Sequence, residues 1–459
     1  MERLIYPLSA LALLFSVSCS EDTPEPPLAD YNISNYYSGG EGTIFLQSSH
    51  AFSQPIGGLS KQEEDVHTDG DALFDAIFVT AGNKVNSGIG PLYNNNSCNA
   101  CHPNDGRAIF PKDLNTTTGF FLRISSGNDP IMGPIDAKGF GGQLQQMAVP
   151  GLKPEVKFRV QYSPRVETFA DGTKVVLQKP TYSVYDPYIP LPASYELSPR
   201  LAMPVIGLGL LEYIPESEIL SYADPSDKNG DEISGRPNYV WNAEHKRTEL
   251  GRFGWKANTS TVREQTAGAM ANDMGLSNPI FPVEPCRNQS NGDDGKYNGI
   301  EISPSQLDAV EFYCQTLGVP ARRNIKDNGV RRGEYLFTEL GCALCHIPTM
   351  KTGSGKIKAL SNQTIHAYTD MLLHDMGDGL ADNRSDFLAT GNEWKTRPLW
   401  GIGLTVTVNN HENYLHDGRA KTLEEAILWH GGEARTAKDK YKALSKTDRN
   451  NLIKFLRSL

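Results

Sequence analysis

Basic residues are in short supply in this chain. Lys and Arg number 44 against 54 Asp and Glu, a net charge of −10, and no run gathers the cations together. That argues against nucleic acid as a partner, because phosphate binding leaves a basic patch or stripe. Beyond the N-terminus no segment has the ~20 apolar residues of a membrane-spanning helix. Cysteine is scarce, at seven residues, which makes the placing of each one informative. With 39% hydrophobic residues the chain is not a disordered one. At 459 residues there is length for two or three domains, and 43 Gly with 29 Pro predict many loops between helices.

The N-terminus reads MERLIYPLSALALLFSVSCSEDTPEPP. Arg3 precedes an apolar stretch from Leu8 to Val17, so residues 1–18 are expected to be a secretory signal. Cysteine after small residues resembles a bacterial lipoprotein box. A lipid on Cys19 would hold the mature protein at a membrane, with residues 19–60 as a disordered tether. The alternative is an ordinary cleaved signal with Cys19 incidental. The expected location is the cell envelope, as an exported, periplasm-facing or outer-membrane lipoprotein.

Four of the remaining six cysteines form two matched motifs, Cys98-Asn-Ala-Cys101-His102 and Cys342-Ala-Leu-Cys345-His346. Leu92-Tyr93 precede the first at the spacing at which Leu336-Phe337 precede the second, which fits one face of a short helix entering each motif. Residues 303–317 and 445–459 match in turn. Ser303 and Ser445 are expected N-caps, and Val310, Tyr313, Cys314 and Leu317 align with Leu452, Phe455, Leu456 and Leu459 as a core-facing helical stripe. The expected fold is therefore mainly α: two cytochrome-c-like haem domains, at residues 61–325 and 326–459. The first would carry a large insertion, in which VKFRVQYSPRVETFADGTKVVLQKPTYSV alternates about a D-G turn and predicts a β-hairpin.

C-x-x-C-H is the pattern of covalent haem attachment. Two thiols add to the porphyrin vinyl groups, and the following histidine ligates the iron. A structural zinc site or a thioredoxin-like pair would not require histidine after both motifs. Two haem c groups are thus expected, on Cys98, Cys101 and His102 and on Cys342, Cys345 and His346. The sixth ligand of each iron separates electron transfer from peroxide chemistry. Candidates cluster late in the chain: His366, Met371, His374 and Met376, then His411, Tyr414, His416 and His430. His374 and His416 are favoured because each is followed by an aspartate able to orient an imidazole. No histidine follows His102 until His245, which leaves the first haem a non-histidine sixth ligand or none.

The stretches TDMLLHDMGDGLAD, EWKTRPLWGIGL, YLHDGRAKTLEEAILWHGGEA, SPRLAMPVIGLGLLEYIPE, DKNGDEISGRPN and GRFGWKA, with both C-x-x-C-H motifs, resemble the di-haem oxidoreductase family of peroxidase-like proteins. That family is related to bacterial di-haem cytochrome c peroxidases and MauG. The resemblance runs from about residue 65 to the C-terminus. It implies electron exchange between two haems, one of which reduces peroxide. It also implies a ligand to the C-terminal haem near Tyr414 to Gly418, where Leu415 cannot serve and Tyr414 or His416 would have to. Trp255 would be an inter-haem relay, or else a packed core aromatic.

Peroxide cleavage needs a proton carrier, for which Glu212 in an apolar run is the candidate, with a buried pair to Arg200 as the alternative. Gln145 is a candidate for orienting peroxide. Asp227, Asn229 and Asp231 are spaced like the start of a calcium loop but lack its glycine and distant glutamate, so Ca2+ or a solvated turn is expected there. Cys286 and Cys314 are expected to form a disulfide in an oxidising compartment, or to stay as two buried thiols. The expected function is an exported di-haem oxidoreductase that takes electrons from a small redox protein or a quinol-linked donor and reduces peroxide or oxidises a small molecule. A non-catalytic di-haem electron carrier, with Met376 and Met203 as ligands, is the alternative, and a zinc-stabilised binding module a third reading.

Overall fold

A computed structural model describes residues 26–82, 85–111, 118–296 and 299–459. The signal at 1–18 and Cys19 lie outside the described residues. Eight helices frame the site: α1 (Lys61–Asp75), α2 (Cys98–Cys101), α3 (Val262–Met274), α4 (Pro304–Thr316), α5 (Asn328–Glu339), α6 (Leu423–Trp429), α7 (Arg435–Ala443) and α8 (Lys446–Ser458). The strands used below are β1 (Phe120–Ser125), β2 (Lys157–Thr168), β3 (Lys174–Tyr185), β4 (Glu196–Leu201), β5 (Leu373–Asp375) and β6 (Glu393–Lys395).

The helix ends follow local chemistry. Ser60 and Glu63 cap α1 reciprocally, and Ser303 and Gln306 do the same for α4, where Pro304 occupies the first turn. Ser445 accepts from the Asp448 amide at the start of α8. Packing then pairs α1 with α4 and α5 with α8. Each pair closes over a glycine. A Cβ on Gly70 would strike the Ala309 carbonyl and come 2.7 Å from the Tyr313 Cβ; one on Gly333 would strike the Asn451 carbonyl and come 2.7 Å from the Phe455 Cβ. The same register repeats in the rings: Phe74 lies 5.2 Å from Tyr313 and Phe337 lies 5.1 Å from Phe455.

This repeat relocates one expectation. The partner of Leu336-Phe337 in the first unit is Leu73-Phe74 on α1, and Leu92-Tyr93 form a short strand paired with Met147-Ala148 rather than a helix entering the motif. Leu-Tyr suits a strand as well as a helix, and two residues cannot fix a period.

The mainly α, cytochrome-c-like architecture does not hold. Helix makes up only 29% of the described residues and strand 19%. The strands pair in eight two-stranded ladders among the described residues. Long Gly- and Pro-rich connections between the motifs and their closing helices account for the difference, because they pair locally instead of extending helices. The β2–β3 hairpin turns at Gly172, whose φ of +82° glycine adopts without steric cost. β1 pairs with β4, and β5 with β6, antiparallel throughout.

The apolar cores cross residue 325. One joins Phe52, Met270 and Tyr313 to Met350, Leu360 and Trp400; another joins Phe169, Leu177 and Trp255 to Phe337, Trp429 and Phe455. Part of the expected tether is packed: Phe52 and Ile56 are buried, and Ile44 bridges to Pro320.

Candidate cofactor site

Both C-x-x-C-H segments are short helical turns, and the histidine leaves each turn as its last residue. The amide of His102 bonds the Cys98 carbonyl at 2.9 Å, and that of His346 the Cys342 carbonyl at 3.0 Å. Gly341, at φ +91°, makes the bend from α5 into the second motif, a conformation that side chains resist. His102 Nδ1 donates to the Met203 carbonyl at 2.6 Å, and His346 Nδ1 donates to the Tyr368 carbonyl at 2.9 Å. A proton held on Nδ1 leaves the Nε2 lone pair for a metal, the tautomer of histidine ligands with a carbonyl behind them. Burial keeps both rings neutral, pushing His346 down to about 4 and His102 below its ordinary value.

The two motifs open on one cavity of about 570 Å³, within the range of ligand and cofactor sites. Cys98, Cys101 and His102 line one end with the α3 residues Gln265, Thr266 and Asp273. Cys342, Cys345 and His346 line the other with residues of α6 and α7. Burial raises the thiols of Cys98 and Cys342 to about 12, so neither is poised as a thiolate for disulfide exchange. Among the described residues no three His, Cys, Asp or Glu side chains converge as a metal site would require. The zinc-module reading therefore has no donor set.

Between the two ends lies an aromatic and cationic wall. Trp255 donates from Nε1 to the Leu201 carbonyl at 3.0 Å and meets Trp394 edge-on at 6.5 Å. His416 stacks on Trp394 at 3.9 Å, nearly parallel. The guanidiniums of Arg107 and Arg397 stand 5.9 and 5.3 Å from the Trp255 ring. Burial lowers them to about 10 and about 9, and the charge on Arg107 lowers Arg397 further. Nε and Nη1 of Arg107 are buried with no hydrogen-bond partner. Buried unpaired guanidinium is costly. Such a group in a cavity wall, with the Arg397 guanidinium lining the same wall, calls for an anion inside it, and the carboxylates of porphyrin side chains meet that need. The residues present thus fit haem on three counts: thiol pairs, Nδ1-anchored imidazoles and an uncompensated cation.

Several expected roles fail on geometry. Glu212 lies outside the cavity wall; it accepts from the Val262 amide at the start of α3 and from Gln315, both at 2.7 Å. Nor does it pair with Arg200, which faces Asp382 and Asp386. Burial raises its pKa, but no reactant space adjoins it. Gln145 lies away from the main cavity, beside Glu155, with its amide donating to the Asn272 carbonyl at 2.8 Å. His374 has both nitrogens occupied, Nε2 by Asp370 at 2.8 Å and Nδ1 by Glu433 at 2.7 Å, which leaves no lone pair for iron. Tyr414 gives its hydroxyl to Glu412 at 3.1 Å. His245 is exposed and paired with Glu249.

Asp227, Asn229 and Asp231 spend their oxygens on the backbone amides of Glu232, Asp231 and Ile233, so this is a self-capped turn and not a cation loop. Cys286 and Cys314 are both free and buried, in place of the expected disulfide. Cys314 lines the main cavity, whereas Cys286 lines the small one beside Gln145. Met203 and Met376 line the main cavity, Met203 also supplying the carbonyl behind His102.

Residues that the sequence reading left out are Arg107, Arg397 and Asp273. Arg107 follows the first motif by five residues, which was a usable signal; Asp273 and Arg397 had none, because only the fold brings them to the wall.

A site with two haem-attachment motifs on one cavity defines a di-haem redox protein. The chain belongs to the family described as "Di-haem oxidoreductase, putative peroxidase", whose profile matches residues 32–459. No curated protein matches it. A solved structure, the hydrazine synthase of Kuenenia stuttgartiensis pressurised with xenon, is similar at 20% identity over 34% of this chain and 56% of that one. Its TM-score of 0.23 is too low to bear on fold or function.

Proposed function

We propose that the protein is an exported di-haem c-type oxidoreductase in which Cys98 and Cys101 attach one haem and Cys342 and Cys345 the other. The observation that carries this reading is the single cavity onto which both motifs open, each histidine with its Nδ1 tied to a backbone carbonyl. When bound, two haems supply one-electron chemistry and, where an iron keeps a free position, a site for peroxide.

The chain's residues divide the work. Arg107 and Arg397 hold the porphyrin carboxylates, and Trp255 lines the same cavity against both guanidiniums. Asp273 takes the part first expected of Glu212. It lines the cavity with the first motif, is half-buried, accepts from Gln143 at 2.7 Å and has its pKa raised chiefly by desolvation. A carboxyl so placed holds a proton for a leaving oxygen and works in an apolar, water-poor pocket. A small redox protein or a quinol-linked donor supplies the electrons, and a lipid on Cys19 holds the protein at the envelope membrane. Peroxide is the favoured substrate, with oxidation of another small molecule as the variant of the same chemistry.

Low-temperature EPR of the haem-matured protein, oxidised and half-reduced, tests this. One high-spin iron in either state is expected; two low-spin irons in both states would make the protein an electron carrier. Asp273→Asn is expected to lower peroxide turnover about 10²-fold. Because the acid form is the working one and its pKa is raised, wild-type turnover falls as pH rises through that value, and the variant loses this limb.

A further inference from the structure

We infer that His430 is the sixth ligand of the iron bound by His346, which makes that centre a bis-imidazole one. The inference rests on the haem reading above.

His430 follows the last residue of α6 and repeats the arrangement of the two motif histidines. Its Nδ1 donates to the Ala426 carbonyl at 2.7 Å, so the lone pair sits on Nε2. Among the described residues that Nε2 has no hydrogen-bond partner, and the ring lines the cavity beside Ala426 and Ile427 at the His346 end. Ala426 and Ile427 of α6 pack against the same apolar cluster as Cys342 and Ala343, which sets the wall bearing His430 beside the second motif. They come from different walls: His346 from the turn after α5, backed by Phe337 at 6.2 Å, and His430 from the end of α6.

Most rivals are engaged elsewhere. His374 has both nitrogens on carboxylates, His366 bonds Thr349, and His411 uses both nitrogens on backbone groups. His416 also lines the cavity, but it is stacked flat on Trp394, and its buried Nε2 has no hydrogen-bond partner among the described residues. The Met376 sulfur and the His416 Nε2 are the remaining competitors. A bis-imidazole iron is closed to peroxide, and it has a lower potential than one with a methionine ligand. A closed centre at His346 leaves peroxide chemistry to the iron held by His102.

The test is EPR and near-infrared magnetic circular dichroism of the haem-loaded full chain. In His430→Ala, one low-spin centre is expected to become high-spin, the other is unchanged, and added imidazole restores the low-spin signal. In His430→Met, which preserves a donor if the alanine variant folds poorly, the centre stays low-spin, gains a sulfur-to-iron charge-transfer band and rises in potential. A wild-type protein already showing that sulfur band would overturn the assignment in favour of Met376, and variants with unmoved spectra and no such band would overturn it in favour of His416. A chain that matures without covalent haem would sink the underlying reading instead, so the two failures are distinguishable.

Discussion

His374 is held by two carboxylates at once, and its energetics follow from that. Asp370 and Glu433 lie 2.8 and 2.7 Å from its nitrogens, and its own side chain is 3% exposed. Burial alone would lower its pKa, but both carboxylates and the Cys345 contact lift it well above the ordinary value. Removing the imidazolium strands two carboxylates, so His374→Gln is expected to cost about 3–5 kcal/mol in chemical unfolding. The sign of its pH dependence is fixed. A raised folded pKa stabilises fully below the unfolded value of about 6.5 and loses that contribution as pH rises through the folded one. Glu433, held below its ordinary range chiefly by His374, loses its share as pH falls through the lowered value. The gap between wild type and variant is therefore widest near pH 6 and shrinks in strong alkali. An adjacent aspartate marked this residue in the sequence as a ligand, but its true partners stand four residues before it and 59 after it. Adjacency did not show that both nitrogens were taken. The proposed attachment residues could be picked out because their chemistry is contained in five consecutive positions; Arg107, Arg397 and Asp273 could not, since each matters only against the others. For the guanidiniums, the Arg107→Leu/Arg397→Leu double variant is expected to unfold at higher denaturant than wild type when haem-free and at lower denaturant when haem-loaded. Equal shifts in both states would argue against an anion between them.

At the scale of elements, the glycine at each helix crossing and the carboxylate at the head of α3 carry the strongest constraints. Gly333→Ala would drive a Cβ into the Asn451 carbonyl of α8, and overpacking of this kind costs about 1–3 kcal/mol. Gly70→Ala meets Ala309 of α4 in the same way, and thermal unfolding should show both losses. Glu212→Ala leaves the Val262 amide and the Gln315 side chain without their acceptor, for about 1–3 kcal/mol. Peroxide turnover per loaded chain should not move, and a large fall would return Glu212 to the chemistry. The closing helices and their serine caps were readable from periodicity and polar spacing, as was the long hairpin from its alternation about Asp171-Gly172. The many two-residue ladders were not. They arise where distant loops meet, as Leu92-Tyr93 meet Met147-Ala148, and local pattern holds no record of that meeting.

Across the whole molecule, the two motifs share one cavity and their supporting cores cross residue 325, so filling one end should stabilise the other. Haem bound only by the folded state adds its binding free energy to folding. Replacing Cys98 and Cys101 by serine is expected to lower the unfolding temperature of the entire chain in a single transition. Two separated transitions, one unmoved, would show independent halves. The central claim is that both C-x-x-C-H motifs carry covalent haem, and the intact mass of the protein after maturation and acid denaturation tests it most directly. The account predicts a chain heavier by two haems, by one when either cysteine pair is replaced, and by none when both are. A denatured mass equal to the polypeptide alone would contradict it.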